Sequence, residues 1–237
     1  MNNLPMKYLL YISLTLNLLA IFAGIFALQK FGGLQQIWKK ATNQGAAESY
    51  EHFKNLLEVL PPKENAIVFL GNSLTAANEW SEMMANPSIV NRGIPGDHCD
   101  GVLARLETLT RLNPKMIFLE IGVNDLLFHS PDTVLKKYEQ LVEGILVEFP
   151  NAELHLQSLF PVNNQVRKVG TTNAQIRLLN EGIRQLAKAK GLTFIDLYPL
   201  LLDREGNLDA AYTLDGIHLN GQAYLKWKEK LEGVIGN

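Results

Sequence analysis

Cysteine is all but absent from this chain. Cys99 stands alone, so no internal disulfide can form and stability must come from packing and hydrogen bonding. An excess of charge of either sign is also missing: Lys and Arg total 22 against 24 Asp and Glu, a formal net charge of −2. That balance lacks the basic footprint of nucleic-acid binding, and no nucleic-acid partner is expected. His52, His98, His129 and His155 show no His-x-x-x-His spacing for a metal. No Gly-x-x-x-x-Gly-Lys loop or dinucleotide fingerprint is present either, so neither a metal nor a cofactor is expected. The sequence also has no internal repeat and no low-complexity tract. What it does have is apolar residues, 47% of the total against 19% charged, which suits a packed core. The length fits one domain of roughly 100–200 residues plus a tail.

The tail begins with an uncharged run, Tyr8 to Leu28, mostly Leu, Ile, Phe and Ala with Ser13, Thr15 and Asn17 between them. At about 1.5 Å per residue such a run spans the roughly 30 Å hydrocarbon core of a bilayer as a helix. No small-x-small cleavage site precedes Leu28-Gln29-Lys30, so residues 1–30 are expected to be an uncleaved signal anchor. The catalytic part would then be held at a membrane on the periplasmic or extracellular side. Lys7 lies before the run and Lys30, Lys39 and Lys40 after it, a positive-inside count that leans against export and leaves the orientation open. Residues 31–65 read as a linker, broken at Gly32-Gly33 and Asn43-Gln44-Gly45. An amphipathic helix follows, carrying Tyr50, Phe53, Leu56, Leu57 and Leu60 before Pro61-Pro62.

From residue 66 to 237 strand-like and helical runs alternate. Strands are predicted at Ala66–Leu70, Ser88–Asn91, Met116–Ile121, Glu153–Phe160 and Leu192–Leu197, and helices at Asp97–Leu112, Asp132–Phe149, Thr172–Lys190 and Gly221–Val234. Such alternation predicts an α/β domain with a central, mostly parallel five-stranded sheet covered on both faces, a three-layer α/β/α arrangement. In open sheets of this kind ligands bind beyond the carboxyl ends of the strands.

The chemically suggestive residues fall there. Ser73, in AIVFLGNSLTAANEW, sits where the first strand turns into a helix. Alone it fits a helix N-cap as well as a nucleophile. Gly93 and Asp97 lie in NRGIPGD after the second strand. Gly93 serves either a turn or the approach of its N–H to an oxyanion, and Asp97 would cap the next helix. Asn124, in IGVND after the third strand, is either a turn residue or a side-chain amide donor. Near the C-terminus, YTLDGIHLNGQAY places Asp215 three positions before His218, as a general base and its orienting carboxylate require.

Together these four segments resemble the SGNH (GDSL-type) hydrolase superfamily, whose blocks carry Ser, Gly, Asn and His in that order, from about Ala66 to the C-terminus. The resemblance implies a flavodoxin-like fold. It places the nucleophile on Ser73, the base on His218, the acid on Asp215, and the oxyanion hole on the N–H groups of Ser73 and Gly93 with the amide of Asn124. One departure stands out: the family's Gly-Asp-Ser-Leu is Gly-Asn-Ser-Leu here, and Asn72 keeps an acceptor oxygen while losing the charge. The implied activity is a serine esterase working through an acyl-enzyme. Its expected substrate is a short acyl group, such as acetyl, on a carbohydrate or other small alcohol, because the short connections leave little material for a lid. A lysophospholipase or thioesterase acting on lipid-derived esters is the alternative. A non-catalytic protein retaining the fold is the third reading, and the intact residue set argues against it.

Overall fold

The computed structural model describes residues 6–30 and 44–236. The chain divides into two compact units, Met1–Glu51 and His52–Asn237. The first contains helix α1, Met6–Lys30, whose described side chains are exposed and, between Tyr8 and Phe26, uncharged. Among the described residues no helix is long and apolar enough to cross a membrane. The anchor expected at residues 1–30 therefore rests on the sequence. Of the expected linker, residues 31–43 lie outside the described residues, and the amphipathic helix is α2, Gln44–Val59, with Leu60 just past its end.

The second unit is built on five parallel strands: β1 Ile67–Gly71, β2 Ile89–Gly93, β3 Met116–Glu120, β4 Glu153–Gln157 and β5 Thr193–Ile195. Their order is β2-β1-β3-β4-β5, all pairs parallel, which is the flavodoxin-like order with its switch point between β1 and β3. Alternation along each strand sorts side chains to the two faces. Val68, Leu70, Ile117, Leu119, Leu154 and Leu156 face one core. It is covered by α5 (Cys99–Ala104), a 3₁₀ segment at Leu106–Leu112, α6 (Pro131–Glu148) and α7 (Asn173–Lys190). Ile67, Phe69, Ile89, Met116 and Phe118 face the other, covered by two short helices, α3 (Ser73–Ala76) and α4 (Trp80–Met83), and by α8 (Gly221–Ile235). Burial on both faces explains why these strands read as continuous apolar runs.

The element boundaries differ from expectation where side chains intervene. Strand β2 runs on to Gly93 because the end of β1 still pairs there, Gly71 opposite Gly93. Strand β4 stops at Gln157 rather than Phe160, since the backbone N–H and C=O of Leu159 turn to the Asn180 side chain on α7 at 2.8 and 3.0 Å. The helix expected over Asp97–Leu112 breaks at Arg105. That side chain, 1% exposed, is drawn inward to Asp97 Oδ2 and to the carbonyl oxygens of Arg92 and Gly71. Asp97 is correspondingly not the helix cap; the cap position of α5 is His98.

Glu120 ends β3 with 0% exposure, and neither carboxyl oxygen meets a donor among the described residues. Burial without compensation pushes its pKa up to about 8, so the group is largely protonated at neutral pH. Between the ordinary carboxyl value of 4.5 and about 8 the unfolded chain has released this proton while the folded chain keeps it. The contribution is therefore complete below the lower value and is lost as pH rises through the upper one. Glu120→Gln should flatten that loss: urea midpoints measured at about pH 5 and about pH 8 should differ less in the variant than in the parent, with the gain at the alkaline end.

Candidate active site

Ser73 is the first residue of α3, a single helical turn that could not stand alone and is held by its surroundings. Asn72 caps it, with Oδ1 accepting from the Leu74 N–H at 2.9 Å and its carbonyl accepting from Ala76 N–H at 2.9 Å. The departure from the family aspartate thus preserves the cap, because an amide oxygen accepts as a carboxylate does. The carbonyl oxygens that a short helix leaves free are all taken. Tyr224 donates to Leu74 O at 2.7 Å, and Trp80 Nε1 to Thr75 O at 2.9 Å. Asn91 Nδ2 donates to Thr75, Ala76 and Asn78 at 2.9, 3.2 and 3.0 Å.

The Asp215–His218 loop is closed on itself in the same way. Asp215 Oδ1 accepts the N–H groups of Ile217 and His218 at 3.1 and 2.8 Å, while Thr213 Oγ1 donates to His218 O at 2.7 Å. Gly216, at φ +84°, sits so close to the segment after β4 that a Cβ there would lie 2.4 Å from Asn163 O. These contacts leave Asp215 Oδ2 facing His218 Nδ1 at 2.7 Å, and His218 Nε2 facing Ser73 Oγ at 3.1 Å. With Nδ1–H donated to the carboxylate, Nε2 carries the lone pair toward the serine. Burial by itself raises the Asp215 pKa. The hydrogen bonds from the His218 ring and from the backbone N–H groups of His218 and Ile217 outweigh it and hold the group at about 2. Asp215 is thus ionised throughout the neutral range. Arg167 Nη2 also reaches Asp215 Oδ2 at 3.1 Å. Nothing in the sequence signals that contact, since Arg167 lies in a loop without a motif.

Two donors, one after β1 and one after β3, keep a hydrogen without an acceptor among the described residues. No chain group among the described residues accepts the Ser73 N–H in a backbone hydrogen bond. Asn124 Nδ2 spends one hydrogen on Asp97 O at 2.9 Å and keeps the other. Asp125 stabilises that arrangement by receiving the Cys99 N–H on both carboxylate oxygens, at 3.3 and 3.2 Å. Gly93 differs from the sequence expectation: its N–H donates to Asn91 Oδ1 at 2.9 Å and so is already engaged. The glycine is needed here for close packing, since a Cβ would sit 2.4 Å from Ala76 N and 2.8 Å from Asn72 O, against the nucleophile turn. The structure therefore brings Ser73, Asp215 and His218 into one hydrogen-bonded chain. Gly93 lies beside it, and Asn124 follows the neighbouring strand β3. A hydroxyl, an imidazole and an ionised carboxylate in this order can generate an alkoxide-like nucleophile and return its proton to a leaving group.

Comparison with known proteins agrees with this chemistry. Human platelet-activating factor acetylhydrolase IB subunit alpha1 is 27% identical over 169 residues, covering 68% of this chain and 71% of its own. A Streptococcus pneumonia protein named for platelet activating factor has a similar structure, with TM-score 0.74 and 25% identity over 84% of this chain and 98% of that one. An acetylxylan esterase from Geobacillus stearothermophilus shares the fold, with TM-score 0.57 and 18% identity over 76% of this chain and 96% of that one. Residues 69–226, which include the serine turn, the Asn124 loop and the Asp215–His218 loop, match the GDSL-like Lipase/Acylhydrolase family, and the chain belongs to that family.

Proposed function

We propose that this acylhydrolase cleaves carboxylic esters of short acyl groups, acetyl above all, carried on a carbohydrate or another small alcohol. The reading rests on one observation, the unbroken relay from Ser73 Oγ through His218 to Asp215 at 3.1 and 2.7 Å. In this reading His218 takes the Ser73 proton as Oγ attacks the ester carbonyl, and Asp215 fixes the imidazole tautomer and balances its charge. The Ser73 N–H and the Asn124 amide receive the tetrahedral oxyanion. Gly93 joins them where the Asn91 carboxamide releases its N–H. His218 then protonates the leaving alcohol, and water, activated by the same base, frees the serine.

The short-acyl preference is supported by the openness of the site. His218 has a side chain 49% exposed, and Leu214 beside Asp215 is 91% exposed, so little covers a long chain. The human relative is also named an acetylhydrolase. A second reading, an ester whose alcohol is lipid-like, draws on exposed apolar side chains on the same loops: Phe128 after Asn124, Val166 before Arg167, and Leu214. A p-nitrophenyl ester series tested with acetylated sugars and lysophospholipids separates the two. The proposal expects kcat/KM to fall with acyl length and acetylated sugars to be cleaved, whereas better turnover of long-chain lysophospholipids would replace it. Ser73→Ala should lose activity by roughly 10⁴-fold or more with the fold retained, and a fluorophosphonate should label the parent only. Label persisting at Ser81 or Ser158 would move the nucleophile.

Asn124→Ala should lower kcat by roughly 10²–10³ with little change in KM, since an oxyanion donor acts mainly in the transition state. A raised KM at unchanged kcat would make Asn124 a ground-state contact.

We further propose that residues 1–30 anchor the chain in a membrane. Support comes from the uncharged run Tyr8–Leu28, bounded by Lys7 and Lys30. Full-length protein should stay with membranes through a high-salt wash and leave only in detergent. Recovery in the soluble fraction with residues 1–28 missing would show cleavage instead.

A further inference from the structure

Strand β2 carries a cation that the catalytic chemistry does not use. Arg92 is 5% exposed, yet its Nε has no partner among the described residues, and Nη1 donates only to the carbonyl of its neighbour Asn91 at 2.7 Å. A second guanidinium, Arg105, is 1% exposed and close enough to repel it. Arg105 takes the buried carboxylate of Asp97 at 2.8 Å. Among the described residues no carboxylate forms an ion pair with Arg92. Burial, and secondarily Arg105, pushes its pKa down to about 10, so Arg92 stays charged at neutral pH at an energetic cost. A buried charge is ordinarily retained with a counter-charge.

Arg92 also lines a cleft of about 380 Å³. Its other walls are Leu60, Pro61, Pro62 and Val90, with Lys63 at the same cleft. None of these six residues belongs to the Ser73–His218–Asp215 relay. Apolar walls around one uncompensated guanidinium fit a small anion with an aliphatic tail: the guanidinium meets the headgroup and the walls take the chain. We propose that this cleft is a binding site, separate from the triad, for an aliphatic monocarboxylate. Because Arg92 immediately precedes Gly93, a ligand there abuts the strand end that packs against the nucleophile turn.

The test uses the full-length chain in an uncharged detergent, with Ser73→Ala and Asn124→Ala as background so that the catalytic groups do not compete for the acid. Hexanoate should raise Tm saturably, hexanol should not, and acetate should act only at much higher concentration. Arg92→Met should raise Tm without ligand, by removing the unpaired charge, and should weaken the hexanoate response at least ~10-fold. Val90→Phe keeps the charge but fills the cleft, and it should also lose the response; it serves if Arg92→Met fails to fold. No saturable shift, an equal shift with hexanol, or a parent-like hexanoate response in either folded variant would overturn the proposal.

Discussion

One buried hydrogen bond, from the Tyr224 hydroxyl to the carbonyl oxygen of Leu74 at 2.7 Å, ties the helix that follows His218 to the turn that carries Ser73. Ser73 and His218 lie 145 positions apart, so their 3.1 Å contact depends on α8 and α3 being held together. Aromatic packing reinforces the lock. Trp80 stacks on Phe69 with ring centroids 4.4 Å apart and meets Trp227 edge-on at 4.8 Å, while Trp227 Nε1 donates to Gln157 Oε1 at 2.8 Å. Each such ring pair adds about 0.5–1.5 kcal/mol beyond the area it buries. The layer that covers one face of the sheet is thus also what sets the geometry of the relay.

Two carboxyl groups near the carboxyl end of the sheet have opposite fates, for a single reason. Asp215 accepts hydrogen bonds on both oxygens and is held ionised, with a pKa of about 2. Glu120 is buried deeper, finds no donor among the described residues, and keeps its proton to about 8. Hydrogen bonds to the charged form decide the first case and desolvation decides the second. Mild acidification therefore leaves Asp215 a carboxylate while Glu120 stays a neutral acid.

Asn72 shows how a motif tolerates change. Its oxygen caps the Ser73 turn at 2.9 Å, while its Nδ2 is buried without a partner among the described residues. What the turn uses is an acceptor at that position, and the amide supplies it without burying a charge.

The parallel sheet, its five strands and the residues of the relay were legible in the sequence, because apolar runs and helical periodicity are local signals and the four blocks occur in a fixed order. The boundaries were less so. Nothing near Phe160 announces that Asn180 will capture the Leu159 backbone, and nothing near Arg105 announces that its side chain will break a helix by turning inward. Arg167 could not be found from sequence, since its role is only its position beside Asp215. Gly93 was readable as a special glycine, but whether it serves a turn, a donor or a close approach depended on Ala76 and Asn72 across the strand end. The sequence by itself determined which groups are present, their order and the period of the elements that carry them, since chemistry and periodicity are properties of the chain. Tertiary structure alone decided which N–H is free, which carboxyl keeps its proton and which guanidinium has no counter-charge among the described residues, because each depends on neighbours brought together from distant parts of the chain.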